Sequence, residues 1–310
     1  MKVPRQLRGP FVHAALAPLA LAVTLVPALT DKARKMPKPM PPFEEMARLR
    51  VVHVLPGMEA AAVQKNLVYK TAGEPEAPLH LDVYAPADLP AGEKRPAVIF
   101  VHGGPVPRAG IKEWGLFVSY GQLAAASGFV GITFHHRFFS PEMAQEADRD
   151  VADLVAYVRK NASDLGVDRD RIALWAFSGG GPFLARWLAE PPEYLRALVS
   201  YYAVLDIREA PPGQPGKLSS DVRARLSPVA RLPLAVRPVP MLIARAGQDN
   251  AYLNGTVDAF VAEALRQNAP FELLNHSDGR HGFDILDDDA RSREIVARTL
   301  AFLKTHLGPP

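Results

Sequence analysis

From Asn66 onward the chain switches between two kinds of apolar patterning. "NLVYKT" and "LHLDVYAP" alternate apolar and polar residues, the mark of half-buried strands at an antiparallel start. "PAVIFVHGG", "FVGITFHH", "RIALWAF", "LRALVSYYAVLD" and "MLIARAG" are nearly continuous apolar runs, as expected of strands covered on both faces. Between them the period lengthens to that of helices. Ser140 and Pro141 predict the start of a helix with Ala147, Val151, Leu154, Val155 and Val158 on one face. Val257, Phe260, Val261, Ala264 and Leu265 form a second stripe, and Val296, Leu300, Leu303 and Leu307 a third. Strands alternating with helices through right-handed crossovers predict an α/β fold, a mostly parallel central sheet with helices on both faces.

The amino terminus is patterned differently. Lys2, Arg5 and Arg8 precede an apolar stretch from Phe11 to Leu29 with small residues near its end, the layout of a secretory signal peptide over residues 1–30. An uncleaved membrane anchor is the alternative, since a stretch of this length just spans a bilayer. His13, Pro18 and Pro27 favour removal, after Ala22, Ala28 or Thr30. The expectation is a secreted or periplasmic protein with no stable membrane association once the signal is gone. Residues 31–63, beginning "DKARKMPKPMPPFEEM", read as a proline-stiffened amino-terminal arm without chemistry of its own. Residues 64–310 form the folded domain.

Composition narrows the chemistry. The 310 residues include no cysteine, which excludes disulfides, thiolate metal sites and cysteine nucleophiles. The formal charge is +3, and loss of the first thirty residues removes Lys2, Arg5 and Arg8 and no acid. The mature chain is then neutral overall, which argues against nucleic acid as a partner.

One stretch carries reactive chemistry. In "RIALWAFSGGGPFLARWLAE", Ser178 sits between an apolar strand and a helical pattern that runs to Pro191. A serine forced into a tight strand-to-helix turn projects its Oγ above the sheet edge, and the turn needs small flanking residues, here Ala176 and Gly180. The alternative is a glycine-rich helix start in which serine is only a cap. Upstream, "VIFVHGGP" ends a strand with His102, Gly103 and Gly104. Glycines let backbone N–H groups approach a developing oxyanion, so Gly179 and either Gly103 or Gly104 are the candidate oxyanion donors. His102 is read as shaping that loop. Serine also needs a base, and the base needs a carboxylate to fix its tautomer. His281, in "GRHGFD", is preferred to His276 because Gly282 lets it swing over the turn. Asp249, directly after "MLIARAG", is the candidate acid, with Asp206 as the alternative and Asp284 read as structural. His135 and His136 are candidates for the pocket lining.

Together these segments resemble the α/β-hydrolase family, over roughly residues 64–307. "RPAVIFVHGG", "DLGVDRDRIALWAFSGGG", "ARAGQDN" and "HGFD" are most similar to its esterase and dienelactone-hydrolase-like branch. The resemblance implies a cofactor-independent, metal-free serine hydrolase of small-molecule carboxylic esters. Its catalytic residues would be Ser178, Asp249 and His281, with Gly103, Gly104 and Gly179 at the oxyanion. Two positions depart from the family pattern: Ala176 stands where the first elbow glycine usually is, and Pro105 where many esterases have a third glycine. "HGGP" also resembles the oligopeptidase branch, so a small-peptide or amide hydrolase is the alternative activity. A non-catalytic binding protein on a hydrolase scaffold is another.

Substrate walls are less legible. Residues 208–237 form the one sizeable insertion between strands, either a surface loop or a short cap with a helix around Val222 to Leu226. Trp114, Tyr201 and Tyr202 are candidate pocket walls. The acidic run Asp287 to Asp289 is read as a helix N-cap rather than a cation site.

Overall fold

The computed structural model describes residues 40–71, 78–106, 110–210, 216 and 218–308 of the chain. The expected signal peptide, residues 1–30, lies outside the described residues, as does the start of the arm. No helix among the described residues is long and apolar enough to cross a membrane.

Eight strands form one sheet: β1 (Ala62–Lys70), β2 (Leu79–Ala85), β3 (Arg95–Val101), β4 (Val130–Phe134), β5 (Val167–Phe177), β6 (Leu195–Tyr201), β7 (Met241–Ala246) and β8 (Phe271–His276). Their spatial order is β1-β2-β4-β3-β5-β6-β7-β8. The first two pairings, β1 with β2 and β2 with β4, are antiparallel, and the other five are parallel. The two alternating segments are thus the antiparallel start, and the continuous apolar runs are the parallel centre. In β3, Ala97 to Val101 are all essentially inaccessible, because helices cover both faces.

The helices are α1 (Phe43–Met46), α2 (Gly115–Ala126), α3 (Ala144–Lys160), α4 (Ala185–Ala189), α5 (Ser220–Arg225), α6 (Pro228–Arg231), α7 (Ala251–Arg266), α8 (Phe283–Leu286) and α9 (Ala290–Leu307). The stripes on α3 and α9 are buried throughout. Each such Val or Leu contributes about 1.5–3 kcal/mol on removal from water. On α7 the stripe is narrower than expected: Val257, Phe260 and Ala264 are buried, but Leu265 is 66% exposed. It follows Ala264 by one position, about 100° around the helix, and so falls off the packed face. Ser140 and Pro141 open the α3 region through a short 3-10 turn, Pro141–Met143, in which the Ser140 side chain makes no capping bond.

The described end of the amino-terminal arm packs on the sheet domain. Val51 N–H donates to Ser119 Oγ at 2.9 Å, Val52 N–H to Asp284 O at 2.8 Å, and Gly115 N–H to Ala47 O at 2.7 Å. Val51 and Met58 are buried, which gives this stretch an apolar reason to dock. Within 208–237 the insertion carries α5, capped by the Ser219 side chain, and α6.

Candidate active site

Strand β5 ends at Phe177, and Ser178 follows with φ +50°, in the left-handed region that a non-glycine residue rarely occupies. Strain of this kind, of order 1–3 kcal/mol, persists where surrounding structure over-determines it. Here the hold comes from both sides. Val204 N–H donates to Ser178 O at 2.9 Å, and Ala176 is held in register between Val101 and Ser200. Ala176 is fully buried, so a methyl group fits where the family pattern has glycine.

The segment beyond the serine departs from the expected helix. Ser178–Leu184 is a 3-10 run, and α-helical geometry is confined to the five residues of α4. Pro182 lacks an N–H, and Gly179 to Gly181 have poor helix propensity, so the ordinary α-helical ladder does not start at the turn.

His281 lies above this turn, 103 residues away in sequence. Its Nε2 is 2.9 Å from Ser178 Oγ, and its Nδ1 is 2.6 Å from Asp249 Oδ2. With Nδ1–H donating to the carboxylate, Nε2 is left to accept the serine proton. Asp249 follows β7 and is held by Asn250 N–H, which donates to its Oδ1 at 2.8 Å. Gly282 adopts φ +78°, which turns the chain so that His281 faces Ser178 while α8 begins behind it. Tyr202 packs against His281 with ring centroids 4.6 Å apart. Its hydroxyl donates to Asp284 Oδ1 at 2.7 Å, and Tyr120 donates to Asp284 Oδ2 at 2.8 Å. Burial pushes the Asp284 carboxyl above its ordinary range, and those two hydroxyls pull against it.

The alternatives are held elsewhere. His276 is buried with Nε2 3.1 Å from Ser292 Oγ. Asp206 accepts from the Arg208 guanidinium and from Ser227 Oγ at 2.8 Å. Of the acidic run, Asp289 accepts from Ser292 N–H as the cap of α9, and Asp287 accepts from Arg280.

The glycines of the strand-β3 loop meet the serine turn directly. A Cβ on Gly179 would stand 2.0 Å from Gly104 O, and one on Gly103 would stand 2.8 Å from Ser178 Cβ. Only hydrogen fits at either place. His102 fixes the loop, with Nδ1 2.7 Å from Gly103 O.

Beside Gly104 and Gly179 opens a cavity of about 300 Å³. Its walls are mostly apolar: Pro105, Phe138, Pro141, Pro182, Val204, Ile207 and Leu218, with Arg223 and Tyr252. The expected aromatic walls are not the observed ones. Tyr201 is fully buried with its hydroxyl 2.7 Å from Thr299 Oγ1, Tyr202 supports His281, and Trp114 packs in the core beside α2. Neither His135 nor His136 lines the cavity: His135 pairs with Glu113 at 2.9 Å and His136 is buried. Neither Phe138, in the loop after β4, nor Tyr252, in the first turn of α7, stands out in the sequence as a wall residue. Their only sequence signal is that each follows shortly after a strand of the parallel sheet.

An eight-stranded, mostly parallel sheet with a serine turn after β5, an acid after β7 and a histidine after β8 has the α/β-hydrolase fold. Comparison with known proteins agrees. The family described as BD-FAE matches residues 81–189. Human carboxylesterase 3 is 30% identical over 124 residues, 36% of this chain and 21% of that relative, so the chain spans about a fifth of its length. Among solved structures, a thermophilic esterase from Thermogutta terrifontis superposes with a TM-score of 0.62 at 23% identity, covering 84% of this chain and 96% of that one. The propionate-bound form of the same esterase gives 0.63 at 22% identity, covering 82% and 98%.

Proposed function

We propose that the protein is a serine hydrolase of carboxylic esters of small molecules, working through an acyl-enzyme on Ser178. The observation that carries this reading is the continuous relay from Ser178 Oγ to His281 Nε2 at 2.9 Å and from His281 Nδ1 to Asp249 Oδ2 at 2.6 Å. In the first step Oγ attacks the acyl carbon while His281 takes the hydroxyl proton. The carbonyl oxygen becomes an oxyanion beside the Gly179 N–H and that of Gly103 or Gly104. Collapse breaks the bond to the alkoxy oxygen, and His281 returns the proton so that the alcohol leaves neutral. Water, deprotonated by His281, then attacks the acyl-serine ester; collapse breaks the bond to Ser178 Oγ, His281 returns the proton to that oxygen, and the carboxylic acid leaves. Asp249 holds His281 in the tautomer that both steps need and stabilises the imidazolium formed in each. The apolar cavity beside Gly104 and Gly179 suits the hydrocarbon part of an acyl or alcohol group.

The comparisons support the same reading. The Thermogutta esterase has been solved with propionate and with butyrate bound, and phosphorylated by paraoxon. Secretion or periplasmic export, with residues 1–30 removed, is part of the proposal and rests on the basic-then-apolar start of the chain. Amino-terminal sequencing of protein recovered from the native host checks it.

The test is a Ser178→Ala variant assayed with p-nitrophenyl acetate, alongside labelling by a fluorophosphonate. The variant is expected to stay folded, to lose several orders of magnitude in turnover and to take up no label. Unchanged turnover overturns the assignment, and a wild-type protein that folds but neither turns over nor labels favours a binding role. Amide hydrolysis exceeding ester hydrolysis in a substrate panel favours the peptidase reading.

A further inference from the structure

A second and larger cavity, about 750 Å³, lies between α3, α4 and the α5–α6 insertion and shares no lining residue with the cavity beside Ser178. Its charged walls are Arg149, Arg186, Arg225 and Arg231 against Asp148 and Glu190, four cations to two acids. The pairing is incomplete. Arg186 Nη2 donates to Asp148 Oδ2 at 2.6 Å, and Arg149 pairs with Glu146 at 2.7 Å. Among the described residues, Arg225 donates to the Gln145 side-chain oxygen at 2.8 Å and to no other side chain. Neither Arg225 nor Arg231 meets a carboxylate among the described residues.

Orphaned polar atoms gather at the same place. Nine buried side-chain nitrogen or oxygen atoms among the described residues have no partner, and three of them, Asp148 Oδ1, Trp187 Nε1 and Arg231 Nε, belong to residues lining this cavity. Asp148 is 8% exposed and Trp187 6%. Each of these three atoms is itself shielded from the cavity, so they show a wall whose polar groups are incompletely paired, and what a ligand meets is the excess of charge on the open side. The excess of guanidinium groups asks for an anion, ideally a planar carboxylate that Arg binds in a fork. The exposed Glu190 carboxylate on the same wall asks for hydroxyl donors.

We propose that this cavity is a binding site, separate from the ester site, for a hydroxylated carboxylate such as a sugar acid. The carboxylate sits between Arg225 and Arg231, and hydroxyl groups face Glu190. The volume falls within the range of small-molecule sites in general.

The test is calorimetric titration of the full protein with glucuronate, with glucose and with inorganic phosphate, repeated on Arg225→Gln, Arg231→Gln and Ser178→Ala. Saturable glucuronate binding is expected, weakened roughly tenfold or more in each arginine variant and unchanged in Ser178→Ala. Arg225 is exposed, so its variant keeps the test open should Arg231→Gln fail to fold. Absence of saturable binding, binding by both arginine variants as tight as by the wild type, or loss in Ser178→Ala overturns the site. Glucose binding as tightly as glucuronate overturns the anion requirement, and phosphate binding as tightly overturns the requirement for hydroxyls.

Discussion

The imidazole rings of His102 and His136 stack with centroids 3.5 Å apart and planes within 8°. Both rings direct an N–H at the backbone of the glycine loop: His136 Nε2 lies 3.1 Å from His102 O, and His102 Nδ1 lies 2.7 Å from Gly103 O. Since each faces a carbonyl, each ring must be the donor, and the pair is bound into the loop that meets Ser178.

This arrangement makes stability pH-dependent. Burial pushes the His136 imidazolium from the ordinary 6.5 down to about 3, and burial with the neighbouring His136 drives His102 well below its ordinary value. Between those limits the unfolded chain binds protons that the folded chain refuses, so stability is complete above about pH 6.5 and falls as pH drops toward 3. The loss amounts to a few kcal/mol for His136. In His136→Gln, urea midpoints measured from pH 7 to 4 should decline less steeply than in the wild type.

Asp249→Asn should remain folded and lose roughly 10³–10⁴-fold in ester turnover, because the amide favours the wrong imidazole tautomer. Asp206→Asn should keep near-normal kcat, since Asp206 is occupied with Arg208 and Ser227. Steady-state kinetics on the two variants decide which carboxylate serves His281.

Two glycine substitutions should act in opposite directions. Gly179→Ala places a methyl 2.0 Å from Gly104 O, forces the two loops apart and should cut kcat by about 10²-fold or more. Gly255, exposed on α7, has nothing within 4 Å of an added Cβ. There Gly→Ala should stabilise by about 0.5–1 kcal/mol with activity intact. Thermal melts and turnover on both variants give the comparison.

Tyr252 is half-buried on the wall of the ester cavity, and its hydroxyl makes a long 3.4 Å contact with Glu209 O. Tyr252→Ala should enlarge the cavity and raise kcat/KM for longer acyl chains relative to acetate by about tenfold. A p-nitrophenyl ester series from acetate to octanoate measures the shift.

The sheet was readable because burial on both faces makes the central runs of β3 to β7, such as Ile172 to Phe177 in β5, almost wholly apolar, whereas the exposed edge keeps β1 alternating. The relay was readable for a related reason. Ser178, Asp249 and His281 follow strand patterns directly, and parallel strands bring those ends to one side of the sheet. The walls were not, because Phe138, Arg223 and Tyr252 come from three distant segments whose composition does not distinguish a lining side chain from a packed one. Ser178 to Leu184 misled for a local reason: its apolar spacing is helical, but three glycines and Pro182 change the geometry of the turn.

The insertion carries α5 with Arg223 facing one cavity and Arg225 the other. The reacting groups sit just past the strand ends, whereas Gly216, Leu218 and Arg223 on one cavity and Arg225, Leu226 and Arg231 on the other come from the insertion. Replacing that stretch should therefore reshape what each cavity admits while leaving the Ser178–His281–Asp249 relay in place. The same helix ties the two cavities to a common fate, so a replacement that reshapes one will alter the other.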